Sequence, residues 1–262
     1  MGSASRTALA TGVAALADAR GVTLATGEEL LAAARAIDGS SQLRALLADP
    51  TLGAEERSAL VGRVFGSLGE SATRLLGGLA ASRWSSPAQL VDGVEEIGIR
   101  AIAAAETDTD IVAELFAVER AVAGDAELEF ALGSKLAAPA AKAEVVDRLL
   151  ARQGSAATTA IVRHLVQSPR GRRIGALLRG AAAIVADAAG TLVATVTVAA
   201  PLSAEQQRAL VADLTERFAR EPRVQYLTDP AVLGGVRVRV GDTVIDGTIA
   251  SRLADLRLRL AG

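Results

Sequence analysis

Apolar residues recur every three to four positions through the first two thirds of the chain and switch to strict alternation after about residue 183. The first pattern predicts helices and the second predicts strands. A helix runs to Ile37 and is broken by Asp38-Gly39-Ser40-Ser41. Leu43, Leu46 and Leu47 lie on one face of a short second helix. Asp49-Pro50 turns the chain, because a residue before proline is pushed out of the helical region. Glu55 to Phe65 carries the stripe Leu60, Val61, Val64 and Phe65; Gly66 to Gly69 is a loop; Ser71 to Ser82 turns Leu75, Leu76 and Leu79 to one side. Ser85-Ser86-Pro87 then opens a long helix from about Ala88 to Glu106.

The helical part repeats itself. A shift of 85 positions lays Leu30–Trp84 over Leu115–Pro169 without a gap. Leu30/Leu115, Arg35/Arg120, Gly39/Gly124, Leu43/Leu128, Val61/Val146, Arg63/Arg148 and Gly69/Gly154 coincide. Gapless register with matched turn glycines points to duplication. The expected organisation is a first helical module over 1–105, a second over 106–183 that repeats 30–91, and an α+β domain over 184–262.

In that last part Thr191 to Ala199 reads as a strand with Leu192, Ala194, Val196 and Val198 on one face. Ser203 followed by Gln206 is a capping-box pattern that starts a helix to about Arg220. Val224 to Leu227 is a second strand. Gly235 to Val240 and Thr243 to Asp246 flank a Gly241-Asp242 hairpin turn. Ile249, Leu253, Leu256 and Leu260 form the apolar stripe of a final helix. The fold class is mostly α, a duplicated helical bundle followed by a small sheet covered by helices.

Composition narrows the chemistry. The 262 residues include no Cys and one His, with 2% aromatics and a formal net charge of -2. Disulfides, thiolate zinc sites, a cysteine nucleophile and multi-histidine metal sites are excluded. A near-neutral, aromatic-poor chain is not a general nucleic-acid binder. No stretch reaches the ~20 apolar residues of a spanning helix. Thr7 to Ala17 imitates a short signal segment, but Thr11 and Gly12 interrupt it and it continues into Asp18 to Arg20. The expectation is a protein made and kept in the cytoplasm, reaching a membrane only through a partner.

Individual residues offer little catalysis. The glycines of Leu233-Gly234-Gly235-Val236 and Gly241-Asp242 have no phosphate-loop spacing, and Gly133-Ser134-Lys135 lacks the leading glycine. They read as backbone bends beside a sheet. His164 falls over Leu79 of the first repeat and reads as a half-buried packing residue without a catalytic constellation. Asp246 reads as a cap or an acceptor of backbone N–H groups, and Asp229 sits at a turn. Arg163, Arg170, Arg172, Arg173 and Arg179 form a basic patch, read as a solvated helix end, a phosphate site or a dock for an acidic partner. Trp84 is a core staple or an interface anchor. An enzyme would need a clustered acid/base pair in a cleft, and a pure helical-repeat scaffold would not end in a sheet. The residues themselves describe an adaptor whose helical grooves suit an amphipathic helix of a partner.

The segment from Asp229-Pro230 through Gly234-Gly235, Gly241-Asp242 and Asp246-Gly247-Thr248 resembles the delta subunit family of the rotary ATP synthase, whose mitochondrial counterpart is the oligomycin-sensitivity-conferring protein. Val198 to Ser203 and Leu256 to Leu260 also fit, and the extra helical module resembles the extended actinobacterial form. The resemblance implies a non-catalytic stator without cofactor or metal, on the cytoplasmic face of the membrane. A helical module would grip the N-terminal helices of the alpha subunits, and the C-terminal module would join a separate stalk subunit b. On that footing the candidate partner-binding residues are Leu9, Val13 and Leu16 of the first helix, Leu75, Leu76 and Leu79 of the helix after Ser71, and Leu253, Leu256 and Leu260 of the last. Asp229, Pro230, Gly234, Gly235, Gly241, Asp242, Asp246 and Gly247 are a structural signature. The pattern leaves open which stripes meet the core, and which module meets alpha.

Overall fold

The computed structural model describes residues 1–134, 136–230, 232, 234–241 and 243–247. It forms two compact units, Met1–Val185 and Ala186–Gly262. Unit 1 is helical: α1 (Ser3–Asp18), α2 (Leu24–Gly39), α3 (Ser41–Leu47), α4 (Ala54–Val64), α5 (Glu70–Ala81), α6 (Pro87–Ala105), α7 (Ile111–Gly124), α8 (Ala126–Gly133), α9 (Pro139–Leu150), α10 (Ala156–Gln167) and α11 (Ile174–Ala188), the last crossing the boundary between the units. Side-chain caps set several starts. Thr23, Ser40, Ser86, Asp110, Asp125 and Ser155 each accept an amide of the turn they precede. Pro87 then occupies a first-turn position of α6, where its missing N–H costs nothing.

Two tertiary caps were not legible in the sequence. Glu29 of α2 accepts the Gly69 amide at 3.0 Å, at the start of α5. Glu114 of α7 accepts the Ser155 amide at 3.0 Å, at the start of α10. Arg57 of α4 is buried and donates to the carbonyls of Ala80 and Ala81, each at 2.7 Å, closing the end of α5. Lys142 lies 85 positions later on α9 and is also buried.

Helix α6 positions everything around it. None of residues 90–102 is exposed, as expected of a helix surrounded by others rather than facing water. Leu90, Val91, Val94, Ile97 and Ala101 join Leu16, Leu30, Ile37, Leu76 and Leu79 in one core. On another side α6 meets α2 at closest approach between Gly98 and Gly27. A Cβ on Gly27 would stand 2.4 Å from Ile102 Cγ1 and 2.8 Å from the Gly98 carbonyl oxygen.

Unit 2 holds β1 (Leu192–Val198), α12 (Ala204–Phe218), β2 (Pro222–Thr228), β3 (Val236–Val240) and β4 (Thr243–Asp246), in sheet order β2-β1-β3-β4. β1 runs parallel to β2, joined through α12, while β3 is antiparallel to both β1 and β4. The alternation of β1 buries Leu192, Ala194, Val196 and Val198 against Leu214 of α12. Ser203 and Gln206 form the capping box that their spacing predicts. The predicted final helix, with Leu253, Leu256 and Leu260, lies outside the described residues.

A substitution tests the α2–α6 approach. Gly27→Ala should cost ~1–3 kcal/mol through overpacking against backbone, at about 2–4 °C of melting temperature per kcal/mol for a unit of this size. Gly62→Ala, where a Cβ meets nothing within 4 Å, should leave the helical melt unchanged or raise it. Equal melts for the two variants would refute the close-packing account.

Candidate functional site

Between α1 and α5 lies a surface cleft of about 200 Å³ lined by Thr11, Gly12, Ala15, Asp18, Ala19, Ser71, Arg74, Leu75, Gly78 and Leu79. Its character comes from small residues. Gly12 lets α1 approach α5, since a Cβ there would meet Leu79 Cδ2 at 2.7 Å. Gly78 and Ala15 are exposed, so the floor is apolar without being filled by side chains. Asp18 and Arg74 supply one charge of each sign at the rim. This composition suits the apolar face of a helix.

Of the expected partner-binding residues, Leu75 and Leu79 line this cleft. Leu16 and Leu76 do not; all four of these leucines belong to the buried core, with Leu9 and Val13 packed partly buried against it. On a helix beside a core the large apolar residues turn inward, so a stripe of leucines marks the buried side. The cleft residues Gly12, Ala15 and Gly78 were missed because they carry almost no hydrophobic signal. Leu253, Leu256 and Leu260 fall outside the described residues.

The signature residues of unit 2 act on the backbone. Gly234, Gly235 and Gly241 have φ of +70°, +82° and +56°, where side-chain-bearing residues are strained. The Asp229 amide donates to the Val198 carbonyl at 2.9 Å, and the Gly247 amide to that of Val236 at 2.9 Å. Asp246 Oδ2 accepts from Arg237 Nε at 3.0 Å across the β3–β4 ladder, and the helix start it is read as capping lies outside the described residues. Pro230 follows Asp229 out of the sheet. Asp242 lies outside the described residues.

A buried ionic cluster stands behind the helices. Glu95 of α6, 6% exposed, accepts from His164 Nε2 at 2.9 Å, Arg170 Nη2 at 2.7 Å and Arg172 Nη2 at 3.1 Å. Arg170 also reaches Asp92 at 3.1 Å, and Arg35 of α2 donates to His164 Nδ1 at 2.9 Å. His164 is therefore not half-buried packing: it is 1% exposed and linked to two other helices. The basic patch is mostly consumed internally, with Arg163 on Asp147 and Arg179 on Glu119 as well. Arg170 has φ +47° and Gly171 φ +77°, a strained bend that returns both arginines to Glu95. Trp84 donates from Nε1 to the Leu79 carbonyl at 2.8 Å and packs against the first core, as a staple.

Because arginine can only donate, His164 Nδ1 must accept and Nε2 must carry the proton, which makes the ring neutral. Burial pushes its pKa below the ordinary 6.5, and the Arg35 and Arg170 charges add to this against the opposing pull of Glu95. For Glu95, burial pushes upward, but the His164 hydrogen bond and the Arg170 and Arg172 charges outweigh it, leaving the carboxyl below its usual range. The cluster satisfies a buried charge; among the described residues no group of three metal-binding side chains occurs.

The fold is one of two units, a helical unit that carries a small-residue cleft and an α+β unit. The ATP synthase delta (OSCP) subunit family model matches residues 100–260. The ATP synthase subunit delta of Leifsonia xyli is 49% identical over the full length of both chains. That of Streptomyces avermitilis is 41% identical, covering 89% of this chain and 88% of its own. A chain of the Toxoplasma gondii mitochondrial ATP synthase hexamer covers 63% of this chain and 97% of its own length at 23% identity, with a TM-score of 0.38. The chain belongs to the ATP synthase delta (OSCP) subunit family. Among the described residues no helix is long and apolar enough to cross a membrane.

A depressed native pKa makes the folded chain bind fewer protons than the unfolded one, so stability falls as pH drops below the unfolded value. Both His164 and Glu95 act in this direction, His164 below about 6.5 and Glu95 below about 4.5. The helical melting temperature should therefore fall between pH 7 and pH 5.5. His164→Gln keeps one acceptor and one donor, so it should melt near the parent at pH 7 and lose less on acidification. Parallel pH slopes for parent and variant would refute the neutral-histidine assignment.

Proposed function

We propose that this chain is a non-catalytic stator subunit of the rotary proton-translocating ATP synthase. It links the N-terminal helices of the alpha subunits, on the catalytic head, to subunit b of the peripheral stalk. The working organisation is two helical modules, 1–105 and 106–183, and a stalk-binding domain, 184–262. It needs no cofactor, no nucleic acid and no membrane span of its own; attachment to the cytoplasmic face of the membrane runs through the complex. Family membership supports the assembly. The observation that carries the head contact is the cleft between α1 and α5, floored by Gly12, Ala15, Leu75, Gly78 and Leu79. A helix laid there buries its apolar face while Asp18 and Arg74 stay at the wet rim. Resisting torque then requires interfaces rather than reactive groups, which fits side chains spent on caps and ion pairs. An adaptor of another cytoplasmic assembly is the alternative from residues alone, and family membership disfavours it.

The cleft can be blocked without disturbing the core, because a Cβ on Gly78 meets nothing within 4 Å. Tagged full-length chain should co-purify alpha and b from membranes. Gly78→Arg should lose alpha at least tenfold, retain b, and melt as the parent does. Loss of b together with alpha, or undiminished alpha, would contradict the division of labour.

A further inference from the structure

α2 and α10 lie side by side and run in the same direction: Arg35 bonds to His164, and one turn further along both helices Ser168 bonds to Asp38. Between them is a cavity of about 180 Å³ whose lining is more polar than apolar. Arg35, Arg163, His164 and Gln167 line one end, and Glu28 and Ala160 lie about two turns and one turn back along their helices.

The charges at the arginine end do not balance. Arg35 is half-buried, and among the described residues its guanidinium makes one hydrogen bond, to His164 Nδ1 at 2.9 Å. That acceptor belongs to a neutral ring, so the cation has no counter-charge there. The carboxylates nearby are engaged or distant. Glu95 stands on the other side of the imidazole and already receives Arg170 and Arg172. Asp38 takes Arg44 at 3.0 Å and Ser168 at 3.4 Å, and does not line the cavity. Glu28 is seven residues before Arg35, about 10 Å along the helix axis. Arg163 brings a second cation. Its Nε stands 3.5 Å from Asp147, with both side chains nearly half exposed, an ion pair that contributes little and lets the guanidinium turn. Burial, and then the Arg163 charge, hold Arg35 below the ordinary arginine range. Cations withdrawn from water are normally paired. Here two of them converge on a polar cavity with the Gln167 amide beside them.

We propose that this cavity is an oxyanion site, in which an ion of phosphate size is held between Arg35 and Arg163 with the Gln167 amide as a third donor. The planar guanidinium fork matches the paired oxygens of such an ion. The volume of about 180 Å³ suits a small oxyanion, whereas pockets that enclose drug-sized ligands run to ~300–1,000 Å³. His164 adds no donor, because Nε2 is spent on Glu95 and Nδ1 accepts from Arg35; it positions Arg35. Glu28 keeps the anion at the arginine end by repulsion. A bound anion bridges α2 and α10 and relieves the repulsion between their arginines, so it stabilises the helical unit. The site is separate from the cleft between α1 and α5 and does not depend on what occupies that cleft.

His164 is the chain's only histidine, so one set of imidazole nitrogen resonances reports on the site. The full-length chain, isotopically labelled at histidine, is titrated at pH 7.5 with sodium phosphate and, at matched ionic strength, with sodium chloride. The expected result is a saturable shift with phosphate and none with chloride, together with a higher melting temperature in phosphate. Arg163→Gln, at an exposed position, should weaken the phosphate response at least tenfold while melting no lower than the parent in chloride. Glu28→Gln should leave the response unchanged or tighten it. ATP, as a third titrant, should bind no more tightly than phosphate. Absence of a phosphate shift, or a shift that chloride reproduces, would overturn the proposal. So would a response undiminished in Arg163→Gln, which would place the ion elsewhere. Tighter binding of ATP would overturn the assignment to a free oxyanion, because a phosphate group carried by a nucleotide would then be the occupant.

Discussion

A charge buried on a surrounded helix constrains the helical unit more than any single apolar contact. Glu95 sits on α6, away from water, and a carboxylate there is tolerable only if its oxygens are met by donors. His164 arrives from α10, and Arg170 and Arg172 from the bend before α11. Arg35 then fixes the imidazole from α2. Four segments distant in sequence are thus held in one relative arrangement by groups whose misplacement would strand a charge. Apolar packing around α6 supplies the bulk of the burial, but its interchangeable leucines and alanines do not specify register as hydrogen bonds do.

The same constraint shapes the outer surface. With α6 enclosed, the small-residue cleft of the helical unit lies at its outer side, between α1 and α5. The caps from Glu29 and Glu114 and the buried Arg57 tie helix ends to neighbouring helices. In unit 2 the glycines with positive φ serve geometry too, turning the chain into and out of β3 without strain.

Much of this architecture was legible in the residue pattern. Helix spans in the first set, the Ser203–Gln206 capping box, the alternation of β1 and the β3–β4 hairpin are local matters, decided by neighbours a few positions away. The 85-residue register of helix spans showed because turn glycines and apolar stripes carry local constraints. The family showed as a spaced string of turn residues around β3 and β4.

The pairing of surfaces was decided elsewhere. A leucine stripe does not say which neighbour it meets, so Leu16 and Leu76 read as possible contacts until the fold put them in the core, while Gly12 and Gly78 carried no signal at all. His164 read as bland because its partners Arg35 and Glu95 stand 129 and 69 residues away. Local propensity and periodicity act over one or two turns and determine elements from sequence alone. Burial and charge compensation depend on residues brought together only when the chain closes on itself, and these decided which apolar stripes met the core and which charges met each other.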